Sequence, residues 1–309
     1  MQTKSGLRLG FTLPQAFTDG RIDRDLTVRV ARRAEALGFD DVWSIDQVTG
    51  RIPIFESLTM LSYVAALTST IRLGTAVIVT NVRNPVVFAK EVSSLDHLSA
   101  GRLTLGIGLG TTTRVYPAFG LPEDHRVGRF LESIRVMKSL WTQEKTTLAG
   151  RFWKLSNVPM EPKPAQKPHP PLWFGAHSRD AMKRAVRHGD AWMCAGSTPT
   201  TDVVAEIERI KATLEAEGRD PAGFPLSKRL YFALDNDEAR ARSRLREWIG
   251  TYYGNPDSAD VWGVVGTVEK VADFVGRLRE AGLTHLMLNP VFDHEQHLEI
   301  CASELASRI

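Results

Sequence analysis

The stretch "IRLGTAVIVTNVRNPVVFAKEVSSLDHLSAGRLTLGIGLG", residues 71–110, contains one whole structural unit. Its opening run "IRLGTAVIV" (71–79) is apolar and rich in β-branched residues, as a buried strand requires. "PVVFAKEVSSLDHLSAG" (85–101) begins with proline and ends with glycine, the polarity that starts and stops a helix. "RLTLGIGLG" (102–110) is a second strand. Strand, helix and strand in sequence make the parallel unit whose crossover is helical.

The same rhythm runs outward in both directions. Upstream lie a strand at "LRLGFTL" (7–13), a helix over 26–40, a strand at "DVWSI" (41–45) and a helix over 55–70. Downstream, "RVGRFLESIRVMKSLWTQ" (126–143) is an amphipathic helix. A hairpin and a proline-rich connection over 146–171 interrupt the pattern. It resumes with strands at 172–176, 190–195, 226–234 and 284–290, each followed or preceded by helical periods. Eight such units predict a (β/α)8 TIM barrel, one domain over 1–309, with a short insertion after the fourth unit and its site at the strands' C-terminal ends. The competing architecture is an open doubly wound sheet. It is disfavoured because the first strand-to-helix turn, "TLPQAFTDG", carries no dinucleotide fingerprint.

Composition narrows the function classes. Thirty-nine basic residues face 36 acidic ones, a net charge of +3, which is no nucleic-acid signature. The arginines of "EARARSRLREW" (238–248) alternate, so a helix would spread them round its surface as a solvated face. Two distant cysteines, Cys194 and Cys301, suggest neither a disulfide framework nor a thiolate metal site. No apolar run approaches a membrane span, and "MQTKSGLRLGFTLP" has no signal-peptide core, so the expectation is a soluble cytoplasmic protein. "HEQH" (294–297) puts two imidazoles a turn apart but has no acidic partner at metal-ligand spacing, so no metal is expected.

Several residues are candidates for chemistry. Gly106, Gly108 and Gly110 alternate along the strand at 102–110. Glycine there marks close approach, either of a ligand or of another backbone in a crowded barrel. In "FGAHSRDA" (174–181), Ser178 is a helix N-cap, and the free amides after it suit an anion; the plain reading is an ordinary capped helix. Asp46, at the end of the strand at 41–45, is a ligand-orienting or proton-accepting group, or else a loop aspartate bonded to nearby backbone.

Residues 71–110 resemble the core signature of the bacterial luciferase-like superfamily. "PLWFGAHSRDAMKRAVRHGDAWMCAG" (171–196) resembles its phosphate-binding region, and "GTVEKVADFVGRLREAGLTHLML" (266–288) its closing segment. The resemblance implies a TIM barrel that binds a flavin or deazaflavin, and the chain is most similar to the coenzyme F420 branch. It implies that Gly108 and Gly110 lie near the ring. It places the cofactor phosphate at Gly175, Ala176, His177 and Ser178, with Cys194, Ala195 and Gly196 lining the next strand end. It also implies a bulge in the strand at 71–79, with a non-proline cis bond between Ala76 and Val77 against the ring. Where many relatives have a histidine after the strand-two aspartate, this chain has Gln47, and where some have a glutamate it has Thr111. Asp46 is then the best remaining acid, with Gln47 beside it and Tyr116 and His125 as weaker candidates. The implied function is hydride transfer between F420 and a small organic substrate. The alternatives are an FMN-dependent monooxygenase served by a separate flavin reductase, and a cofactor-binding protein without turnover. The resemblance further implies a homodimer. The segment "YYGNPDSADVWGV" (252–264) is either a lid over the mouth or a plain crossover.

Overall fold

A computed structural model describes residues 6–110 and 116–309. Its strands are β1 (Arg8–Thr12), β2 (Asp41–Ser44), β3 (Arg72–Thr75), β4 (Ile78–Val79), β5 (Leu103–Gly108), β6 (Lys145–Ala149), β7 (Lys154–Pro159), β8 (Leu172–Gly175), β9 (Ala191–Cys194), β10 (Leu226–Leu234), β11 (Gly263–Gly266) and β12 (His285–Asn289). The helices are α1 (Arg24–Ala36), α2 (Ser57–Leu67), α3 (Pro85–Leu98), α4 (Arg126–Thr142), α5 (Arg179–His188), α6 (Val203–Ala216), α7 (Glu238–Tyr253), α8 (Ala259–Trp262), α9 (Val268–Ala281) and α10 (His294–Ile300).

Parallel pairing runs β1–β2–β3–β5–β8–β9–β10–β12 and returns from β12 to β1, so eight strands close a barrel. The helices cover its outside, which is the expected TIM architecture. β6 and β7 form a separate antiparallel hairpin after α4. β11, which the sequence reading did not anticipate, pairs with the far end of β10. The segment 252–264 is the end of α7, a tight turn, α8 and the start of β11.

Local chemistry sets the helix ends. Asn84 accepts the amide of Val86, and Pro85 opens α3 where no amide donor is needed. Asp23 and Ser178 cap α1 and α5 in the same way. The arginines of α7 are a solvated, ion-paired face, with Arg240 on Asp235 and Arg242 on Glu238 and Asp260. No described helix is long and apolar enough to cross a membrane.

Strand parity separates the two sides of the wall. Val42, Phe174, Trp192, Leu286 and Leu288 belong to the large apolar cluster beneath the helices. Their alternates Trp43, Trp173, Ala191, Met193 and Met287, with Ala76, form a second cluster that fills the barrel. The N-terminal end of the barrel is polar. There Asp41 accepts from Arg8 at 3.0 Å and pairs with His285 at 2.9 Å, and Ser227 bonds the other ring nitrogen of His285 at 2.7 Å. Burial works against the charge on Asp41, but His285 and Arg8 hold its carboxyl below the usual range. The floor is thus filled, and its polar groups bond one another.

Candidate active site at the barrel mouth

β3 and β4 are one strand interrupted by a bulge. Gly74 pairs with Thr104 and Ile78 with Ile107, so four steps on one side match three on the other. The Ala76–Val77 bond within the bulge is cis, at the position implied by the resemblance.

The alternating glycines of β5 face this bulge. A Cβ on Gly106 would lie 1.8 Å from the carbonyl oxygen of Thr75. One on Gly108 would lie 2.6 Å from Val77 Cγ2, and one on Gly110 would lie 2.9 Å from Val79 Cγ1. Three glycines at period two therefore make room for three bulge residues at period two. These contacts are with the neighbouring strand, through its backbone at Gly106 and through valine side chains at Gly108 and Gly110. Gly175, on the next strand, faces Val77 as well, at 3.2 and 3.3 Å for the same construction. Its missing side chain thus leaves space beside the bulge.

Asp46 closes the other side of the bulge. Its side chain is buried, Oδ2 accepts the amide of Val79 at 2.9 Å, and Oδ1 accepts from Arg83 at 2.9 Å. Arg83 also pairs with Glu56 at 3.0 Å. Burial pushes the Asp46 carboxyl above its ordinary value, against the pull of Arg83. Gln15 fixes the chain on the approach to Asp46 by bonding both backbone groups of Ile45 and the carbonyl of Phe55. Gln47 folds under Gly50, and its Oε1 is buried with no hydrogen-bond partner among the described residues. Thr12 Oγ1, at the end of β1, is in the same condition.

The loop at 176–178 follows β8. Ser178 Oγ accepts the amide of Ala181 at 3.3 Å and so caps α5, as expected. The first-turn amides have no acceptor within the helix. Ala176 is held by Trp192 Nε1, which donates to its carbonyl at 2.7 Å. His177 is exposed, and its ring pairs with buried Glu206 of α6. At the end of β9, Ala195 is exposed and Gly196 buried, but the Cys194 thiol points away from the barrel. It lies 3.4 Å from Glu206 Oε2, and burial pushes it up to about 11. Lys228, also on the outer face, donates to the carbonyl of Ala195.

The weaker candidates are committed elsewhere. The Tyr116 hydroxyl accepts from Asn81 at 3.1 Å deep in the wall, and His125 bonds Arg151 at 2.7 Å. Thr111 lies outside the described residues.

One mouth residue escaped the sequence reading. Arg229 lies on the inner face of β10, two residues beyond Ser227. Its Nη1 donates to the carbonyl of Ala76 at 3.2 Å and its Nη2 to the Tyr253 hydroxyl at 3.4 Å. Tyr253 in turn bonds the Tyr231 hydroxyl at 2.7 Å. Tyr252 stacks on Trp248, and Tyr253 sits edge-on to Trp262, so α7 and α8 bring aromatic rings next to Arg229.

The family description "Luciferase-like monooxygenase" matches residues 7–285. The chain belongs to this luciferase-like family. It is 32% identical over 256 residues to an F420-dependent glucose-6-phosphate dehydrogenase of Kineococcus radiotolerans, covering 78% of this chain and 72% of that one. It is 27% identical over 247 residues to an FMNH2-dependent dimethylsulfone monooxygenase of Pseudomonas putida, covering 78% and 66%. Among solved structures, an F420-dependent secondary alcohol dehydrogenase superposes with a TM-score of 0.83 over 98% of both chains, at 20% identity, which shows the shared fold. Luciferase-like relatives thus include users of both cofactors.

Proposed function

We propose that this chain is an oxidoreductase that moves a hydride between coenzyme F420 and a small organic substrate at the barrel mouth. The observation that carries the reading is the likeness to an F420-dependent dehydrogenase across 78% of the chain. The residues present fit such a group. The α5 start offers unpaired amides and a capped first turn for a phosphate. Gly108 and Gly175 give the Val77 side chain room to pack into the wall, where the bulge can back a flat ring. In this reading Gly175, Ala176, His177 and Ser178 hold the phosphate end, Ala195 and Gly196 border it, and Ala76, Val77, Gly108 and Gly110 form the wall behind the ring.

When bound, the deazaflavin supplies the two-electron chemistry. The chain's own part is to bind, orient and exclude water. Asp46 anchors the bulge through Val79 and, with a carboxyl raised by burial, is the group proposed to hold a proton. The unpartnered Oε1 of Gln47 is proposed to accept one hydrogen bond from the bound molecules.

A second reading, an FMN-dependent monooxygenase, rests on the likeness to the dimethylsulfone enzyme and would bring in a flavin reductase. Parallel titrations separate the two, with the fluorescence of the seven tryptophans as signal. F420 is expected to bind more tightly than FMN. Clearly tighter FMN binding would overturn the F420 reading in favour of the second.

A further inference from the structure

We propose that Arg229 is the recognition group for an oxyanion, a carboxylate or phosphate, carried by the substrate. The inference rests on the reading of the barrel mouth as the substrate site, and not on which cofactor occupies it.

The first observation is exposure. Along the nine residues of β10, every residue is buried except Arg229, which keeps partial access. Its strand neighbours on the inner face are Ser227, tied into the polar floor, and Tyr231, under the aromatic cluster. Arg229 therefore stands between the filled floor and the tyrosines of α7, where the barrel opens.

The second observation is charge. Arg83, the other arginine bordering the bulge, is matched by Asp46 and Glu56. Arg229 pairs with no carboxylate among the described residues, and the stretches 1–5 and 111–115 contain no Asp or Glu. Its surroundings are a carbonyl at 3.2 Å, a hydroxyl at 3.4 Å, the Tyr231 ring at 5.3 Å and the backbone of Gly196. The bond to Tyr253 is long, and the two together use two of the five guanidinium donors. A partly buried cation without a counter-charge is costly to keep. An arriving oxyanion would remove that cost and take two parallel N–H bonds from the planar fork.

A purely structural role would be to brace the Ala76 carbonyl. That needs one neutral donor and no charge. Arg229→Gln keeps an N–H donor and loses the charge, whereas Arg229→Lys keeps the charge and loses the fork. The α5 start is the other place where an anion could sit. Ser178→Asp still caps the helix and repels anions there.

The test titrates inorganic phosphate, and separately acetate, into the full chain at constant ionic strength, following tryptophan fluorescence. Each variant is first shown to unfold at a Tm near that of the wild type. Wild type is expected to show saturable binding of both ions. Arg229→Gln is expected to weaken it by about tenfold or more, with Arg229→Lys in between, since a charge-assisted pair is lost. Ser178→Asp is expected to keep the ion signal and lose F420 affinity. Identical ion titrations for wild type and Arg229→Gln, or no saturable binding to wild type, would overturn the proposal. So would an ion signal lost in Ser178→Asp and kept in Arg229→Gln, or a loss of F420 in Arg229→Gln as large as its loss of phosphate. Phosphate binding through Arg229 in a protein that does not bind F420 would sink the cofactor reading and leave this one standing.

Discussion

Thr75 and Gly106 meet backbone to backbone inside the barrel. The Thr75 hydroxyl donates to the Gly106 carbonyl at 2.8 Å, and the Thr75 carbonyl oxygen occupies the space a Gly106 side chain would need. Neither atom belongs to a flexible chain end. This contact fixes how closely the bulged strand lies against β5, and with it the position of Val77 in the mouth.

Gly106→Ala is therefore expected to destabilise the fold by about 1–3 kcal/mol or more, the usual cost of forcing atoms into a packed interior. Gly108→Ala should cost less, because its clash is with the Val77 side chain, which can shift. Denaturant midpoints for the two variants check the order. A Gly106→Ala protein as stable as wild type would contradict the contact.

The barrel was legible because its strands and helices alternate in the chain and proline and glycine mark their ends. What was not legible depends on partners distant in sequence. The β5 glycines announced a close approach, but period two names a face and not its neighbour, so ligand and bulge stayed equivalent until the registers were known. Nothing in "LSKRLYFAL" distinguishes Arg229 from the adjacent Lys228. Only the pairing of Ser227 with His285 shows that the parity of Arg229 points inward. The same parity turns the Cys194 thiol outward to Glu206. Asp46 stood out as a strand-end acid, but its partner Arg83 lies 37 positions on. β11 is too short, and too close behind α8, to show a period of its own.

Asp46 and Arg83 act as a pair in holding the bulge. Asp46→Asn and Arg83→Met are each expected to lower stability by about 1–3 kcal/mol, since either leaves a buried partner unmatched. Glu56 remains beside Arg83 in the first variant, which limits that loss. The double variant should lose less than the sum of the two. Strict additivity in urea unfolding would show that the pair is not coupled. In turnover, a proton-holding Asp46 predicts a loss of roughly 10²–10⁴-fold in Asp46→Asn together with the disappearance of one limb of the pH profile.

Neither cysteine should react in the folded protein. Cys194 is buried with its thiol pushed up to about 11, and burial pushes Cys301 higher still. The thiolate is the reactive form, so at pH 8 both are almost wholly protonated as well as covered. A thiol-specific chromogenic reagent should count close to zero thiols in native protein and two after unfolding in guanidinium. Rapid native-state reaction at Cys194, located by peptide mapping, would mean that the β9 end opens readily.

Acid should begin to weaken the fold from about pH 6.5 downward, and the start of α10 contributes to it. Burial drives His294 down from 6.5 to about 4, with His297 adding to the effect and Asp293 opposing it. His297 is also lowered, chiefly by burial. Its Nε2 accepts the amide of Leu234 at 3.0 Å and its Nδ1 bonds the Asp293 carbonyl, so a further proton would break the Leu234 bond. Between about 6.5 and 4 the unfolded chain holds more protons at these rings than the folded one. Stability should therefore rise with pH across that window, level off above it, and lose nothing more to His294 below about pH 4. Arg244 keeps Asp293 ionised by a direct side-chain bond, so the titration of Asp293 falls below this range. His294→Gln should flatten the pH 4–6.5 slope without abolishing it, since His297 still contributes. Urea midpoints measured at half-unit steps of pH decide the matter: an unchanged slope in the variant would remove His294 as the source of the acid sensitivity.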